Sequence, residues 1–188
     1  MSHFTAIDCL ITDMDALRAA IEYLGLSLVE NAECRHYYGT QMKEYVIPLP
    51  GKYDAALERK SDGSLMLTAD WYGGHVARSL GGNGDLLIQR YAVEKAIIEA
   101  RRRGFFVSER QEGKDILLTV RDNDGSALKI WCQPGGKTVC RPEGVFGASC
   151  MKFLEYEKAL GFIEEHHKTG NYYVNDEQQI VQAHFLCG

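Results

Sequence analysis

Apolar residues alternate with polar ones through residues 3–12 and then switch to helical spacing, with Leu17, Ala20, Ile21 and Leu24 on one face. The first pattern predicts a strand. The second predicts a helix that Asp13 or Asp15 opens and Gly25 ends. Residues 26–38 read as a strand with a bulge or break, and 44–48 as a short strand stopped by Pro48 and Pro50. Residues 53–59 and 65–70 read as a hairpin around Ser61-Asp62-Gly63. A second helix, capped by Asp85, runs to about Arg103 and stops at Gly104. Strands are predicted at 105–110, 115–121, 127–133 and 137–141, with turns at Glu112-Gly113, Asp122-Asn123-Asp124-Gly125 and Pro134-Gly135-Gly136. A third helix follows, then a polar strand-like stretch from Phe162 to Val174 and a tail over 175–188. This order predicts an α+β fold, predominantly antiparallel sheet with three helices packed on its face, and not a doubly wound parallel sheet.

The start of the third helix carries the most pointed chemistry. Ser149 is placed to cap it, Cys150 falls at its first helical position, and Gly161 sits where a left-handed C-terminal cap is expected. A thiol at a helix N-terminus feels the positive end of the dipole, which can lower its pKa. A packing role for Cys150 is preferred, because cysteine is among the most buried residue types and local spacing fixes no partner for it. A base or second thiol would have to come from Cys132, Cys140, His166 or His167.

The chain has 188 residues with a formal net charge of −5, which argues against a general nucleic-acid binder. The one basic run, Arg101-Arg102-Arg103, lies at a predicted helix C-terminus, where cations complement the dipole. No window reaches the apolar length of a membrane span, and the N-terminus lacks the basic-then-apolar pattern of a secretion signal, so a cytoplasmic protein is expected. Its six cysteines form no CxxC pair; reduced thiols are expected and a structural zinc site is unsupported.

The glycine-rich loop at 72–84 invites a phosphate-cradle reading. It has neither the GK[ST] ending nor G-x-G-x-x-G, and Asp85 stands where an anion would have to bind, so a connector is preferred. For the same reasons ATP hydrolysis is not expected.

Met1-Ser2-His3-Phe4, Asp13-x-Asp15-Ala16-Leu17, Gln89-Arg90-Tyr91-Ala92 and Gly104-Phe105-Phe106-Val107 carry a resemblance. Over residues 1–121 the chain resembles the uncharacterised family of hypothetical chloroplast open reading frame thirty-five. Through Gly144-x2-Gly147-x-Ser149-Cys150, Leu154-Glu155-x3-Ala159-Leu160-Gly161 and Tyr172-Tyr173, residues 126–174 resemble a small uncharacterised bacterial domain often encoded beside the first. The domain division implied is 1–121, 126–174 as a β-β-α-β domain, and a C-terminal tail, 175–188. The resemblance further implies genomic company with AAA+ ATPases and ferredoxin-like proteins.

Lacking a complete catalytic set, the chain reads first as a non-enzymatic accessory protein that binds a protein partner, an AAA+ ATPase being the class the resemblance suggests. Tyr37-Tyr38, Trp71-Tyr72 and Tyr172-Tyr173 are aromatics of the type enriched at interfaces, although on strands such pairs ordinarily divide between core and surface. Gly144, Gly147, Ser149, Cys150 and Gln89-Arg90-Tyr91 complete the candidate binding residues. For the last motif the preferred reading is structural, with Arg90 paired to an acidic strand residue and Tyr91 packed inward. The alternative function is a thiol-dependent enzyme or redox switch using Cys150 with Cys140 or Cys132 and His166 or His167. Metal binding by His3, His36, His75 or the His166-His167 pair rests on residue type alone. No PLP, flavin or NAD signature occurs, and no cofactor is expected.

Overall fold

The computed structural model describes residues 4–145 and 148–160. They form two antiparallel sheets, of five and four strands, and three helices of ten residues or more, an α+β fold. Two compact units divide them. One contains the residues up to Glu94 with Pro134–Gly136, the other Lys95–Gln133 with the residues from Lys137 on.

In the first unit, β1 (Phe4–Ile11), β2 (Val29–His36), β3 (Gly39–Ile47), β4 (Ala55–Arg59) and β5 (Leu65–Asp70) lie in the order β1-β5-β4-β3-β2. The expected hairpin around Ser61-Asp62-Gly63 is present, with Arg59 opposite Leu65. Strand β3 starts at Gly39 and not near residue 44. Its first half is solvent-exposed and held by the backbone ladder to β2, so it shows no hydrophobic alternation to read. The break expected in residues 26–38 falls at Asn31, which takes φ +49.

Helix α1 (Met14–Tyr23) buries Ala16, Leu17, Ala20 and Ile21. Asp13 caps it, its Oδ1 accepting from the amides of Asp15 and Ala16 at 3.0 and 3.1 Å. Gly25 ends it at φ +71, a backbone that only glycine adopts without strain, while Leu26 N donates to Ile21 O at 3.0 Å. A second support comes from far along the chain: the Tyr91 hydroxyl accepts from the amides of Thr12 and Asp13 at 3.0 and 3.1 Å.

The glycine-rich segment is folded into short pieces, a 3-10 turn at Tyr72–Gly74, the one-turn α2 (Ala77–Leu80) and another 3-10 turn at Gly82–Gly84. Helix α3 (Asp85–Arg102) follows without a gap. Asp85 is therefore its first helical residue and not the cap expected from the sequence, because the preceding glycines already turn the chain through Gly84 N to Gly81 O. Gly104 and the Phe105 N to Ala100 O bond close α3 as expected.

In the second unit, β6 (Phe106–Glu112), β7 (Asp115–Arg121), β8 (Ala127–Cys132) and β9 (Thr138–Glu143) form a meander, each strand paired with its chain neighbour. Asp122–Ser126 is a turn inside this sheet, with Arg121 directly opposite Ala127. Helix α4 (Ala148–Leu160) brings Phe153 and Tyr156 into the core. Phe105 stacks on Phe153 at 5.2 Å and meets Tyr156 edge-on at 5.8 Å, and the buried Tyr156 hydroxyl donates to Ala96 O at 2.8 Å. The helix begins at Ala148, so Ser149 and Cys150 lie within its first turn and not at the cap and first position. Among the described residues no helix is long and apolar enough to cross a membrane.

Candidate functional site

Strands β2 and β3 are joined by a two-residue loop, since His36 pairs with Gly39, and those two residues are Tyr37 and Tyr38. Tight hairpins of this length favour Asn-Gly or Gly-X, which accept positive φ; neither tyrosine has it. Turn chemistry therefore does not account for two large rings at this tip. They are 53% and 79% exposed.

A second pair lies beside them. Strand β5 ends at Asp70, and Trp71-Tyr72 lead into a turn in which Gly73 and Gly74 take φ +70 and +68. The Asp70 carboxylate is buried and holds both segments. Its Oδ1 accepts from Tyr72 N at 3.1 Å, an Asx turn, and its Oδ2 accepts from Tyr37 N at 3.2 Å. The rings meet as a result: Tyr37 lies 5.0 Å from Tyr38 and 6.2 Å from Tyr72, inclined at 86° and 79°. Tyr72 is 58% exposed. Isolated exposed aromatics are ordinary, but three joined through contacts to Tyr37 make a patch of the type that marks interaction surfaces.

The margin of the patch is aromatic too. His36 Nδ1 accepts from Tyr38 N at 3.3 Å, and Tyr53 meets His75 edge-on at 5.5 Å. The Tyr53 hydroxyl is shifted above its ordinary pKa, first by burial and then by the charges of Asp70, Tyr37 and Tyr72. The structure thus brings together Tyr37, Tyr38 and Tyr72 from the aromatic pairs picked out in the sequence, with the candidate His36 at Tyr38 and His75 beside Gly73. It adds Tyr53 and Asp70. The spacing Asp70-x-Tyr72-Gly73-Gly74 is a local Asx-turn signal for half of the link; the other half, to Tyr37, has none.

The remaining candidates lie elsewhere. Gln89, Arg90 and Tyr91 are buried, at 4%, 4% and 5% exposure. Arg90 pairs with Glu94, one turn along the same helix, and its guanidinium also covers the Tyr23 ring at 3.6 Å. Gly144 is exposed, and a Cβ added there would meet nothing. Cys132 and Cys140 are buried thiols offset along the β8–β9 ladder, Cys132 opposite Thr138 and Cys140 opposite Ile130. Cys34 is buried as well, and burial, followed by the Asp54 charge, pushes its thiol pKa up to about 11. Among the described residues no group of three His, Cys, Asp or Glu side chains is placed to hold a metal ion. His3, Gly147, His166, His167, Tyr172 and Tyr173 lie outside the described residues.

No curated protein and no solved structure matches the chain. A family model does match, over residues 20–120, a span that holds every residue of the tyrosine patch. The chain belongs to that family, described as protein of unknown function (DUF1257).

Proposed function

We propose that this protein is a non-enzymatic accessory protein that binds a protein partner through the patch of Tyr37, Tyr38 and Tyr72. One observation carries the reading: three largely exposed rings in contact, fixed from behind by a buried carboxylate that bonds the backbone of both segments. Tyrosine suits such a role because it offers a large, rigid contact area with a polar tip and little rotamer entropy to lose. The sequence resemblance supplies an AAA+ ATPase as the partner class to try first. It also suggests that residues 126–174 were once a separate companion of residues 1–121.

Affinity purification of the tagged chain from its native cell tests the reading, with a Tyr38→Ala, Tyr72→Ala double variant run alongside. A specific partner recovered with the native chain and lost with the variant, at unchanged thermal stability, is the expected result. Equal recovery by both chains would refute the patch as the binding surface.

A further inference from the structure

The tyrosine patch presents exposed rings and withholds hydrogen-bonding carboxylate oxygens. Asp70 is 2% exposed and both of its oxygens are engaged by backbone amides, so no incoming donor can form a salt bridge with it directly. Its charge nonetheless lies immediately behind Tyr37 and Tyr72. Ring faces are the negative ends of their quadrupoles, and a carboxylate behind them deepens that negative potential. Because Tyr37 is steeply inclined to both neighbours, the cluster turns faces in more than one direction. Among the described residues, cations cover the rings of Tyr45 and Tyr23, through Arg59 and Arg90, whereas none covers Tyr37, Tyr38 or Tyr72.

The charge and the shape both select an external cation. A lysine ammonium is compact and strongly hydrated, and rings that stay half in water do not replace its shell. A guanidinium is planar and weakly hydrated, and stacks on an aromatic face at small desolvation cost. The chain itself uses that geometry where Arg90 covers Tyr23.

We propose that Tyr37, Tyr38 and Tyr72, backed by Asp70, receive an arginine side chain of the protein partner, an inference that rests on the partner-binding reading and names its anchor.

The test is fluorine NMR of the full chain labelled with fluorotyrosine, titrated with a blocked Gly-Arg-Gly peptide and with its citrulline and lysine counterparts. The arginine peptide is expected to shift the signals of Tyr37, Tyr38 and Tyr72 and to bind at least about threefold more tightly than the uncharged citrulline peptide. Tyr72→Leu should weaken the arginine peptide, and Tyr72→Phe, which keeps the ring, should restore it. Equal binding of the citrulline peptide, tighter binding of the lysine peptide, or no shift at these tyrosines would each overturn the inference. A partner captured through the patch, alongside equal citrulline binding, sinks this inference alone; arginine-selective shifts without any partner sink the partner reading and with it the protein source of the arginine, while the guanidinium site itself stands.

Discussion

Arg35 and Asp54 form a two-pronged pair, Nη2 to Oδ1 at 2.6 Å and Nε to Oδ2 at 2.9 Å, although Asp54 is buried and the arginine side chain is 45% exposed. The pair also organises a turn. Asp54 accepts from the amides of Arg35 and Leu49, while the guanidinium donates to the carbonyls of Leu49 and Gly51 at 2.9 Å each. Every oxygen lone pair that burial would strand is thereby engaged. Arg35→Ala leaves the carboxylate inside without its counter-charge, and a loss of about 3 kcal/mol is expected. Asp54→Asn keeps the shape and loses the charge, and about 1–2 kcal/mol is expected. Urea denaturation of both variants measures this; unchanged midpoints would contradict the assignment.

The same carboxylate sets an acid limit. Burial pushes the Asp54 pKa up, but its bonds from Arg35 and from the Leu49 and Arg35 amides outweigh burial and hold it below the ordinary carboxylate value. Asp62, bonded by Ser64, and Glu112, bonded by Trp131 and Arg110, are lowered too. A folded pKa below the unfolded one gives stability that is complete above the ordinary value of about 4 and is lost as pH falls through the folded one. Melting temperature should therefore decline below about pH 4, and the decline should be shallower in Asp54→Asn. An acid limb identical in the two proteins would argue against Asp54 as a contributor.

Cys34 should resist alkylation. Its raised pKa leaves almost no thiolate at neutral pH, and the thiol is buried. Peptide mapping after iodoacetamide treatment of the native chain is expected to find Cys34 unmodified, and to find it modified once denaturant is added. Native-state modification at the rate of an exposed thiol would show the burial to be wrong.

Two adjacent glycines of the glycine-rich loop should differ sharply. A Cβ on Gly81 would fall 1.8 Å from Asp85 Oδ1 and 2.9 Å from Leu86 N, at φ +81; one on Gly82 meets nothing. Gly81→Ala is expected to destabilise by more than about 1 kcal/mol and Gly82→Ala to be near neutral. Thermal melts that rank the two the other way would refute this turn geometry.

Removing one oxygen should loosen the entry to α1. Tyr91→Phe strips the acceptor from the Thr12 and Asp13 amides, and about 1–2 kcal/mol of destabilisation is expected. Hydrogen exchange reads the effect locally, as faster exchange at those two amides. Exchange unchanged there would mean that other groups hold them.

What could be read from the sequence was whatever neighbouring residues decide. Asp13 and Gly25 bound α1 because a cap and a left-handed stop act over three or four positions, and β7 and β8 show themselves because one face of each is buried. The first half of β3 was illegible because its side chains lie in solvent and show no hydrophobic alternation. Asp85 misled because a capping residue and a first-turn acid look alike when glycines precede both. The tyrosine patch was half legible: Tyr37-Tyr38 and Trp71-Tyr72 stood out by type, but the bond from the Tyr37 amide to Asp70 joins segments that only the β-sheet brings together.

The strand orders imply different folding histories. In the meander β6-β7-β8-β9 each strand finds its partner across a turn of a few residues, so its loops close cheaply and early. In the first sheet the opening strand must wait: Phe4 pairs with Asp70, and β1 has no partner until β5 has been made. During synthesis on a ribosome, β1 is thus the strand of this sheet that waits longest with neither edge paired, open to other chains.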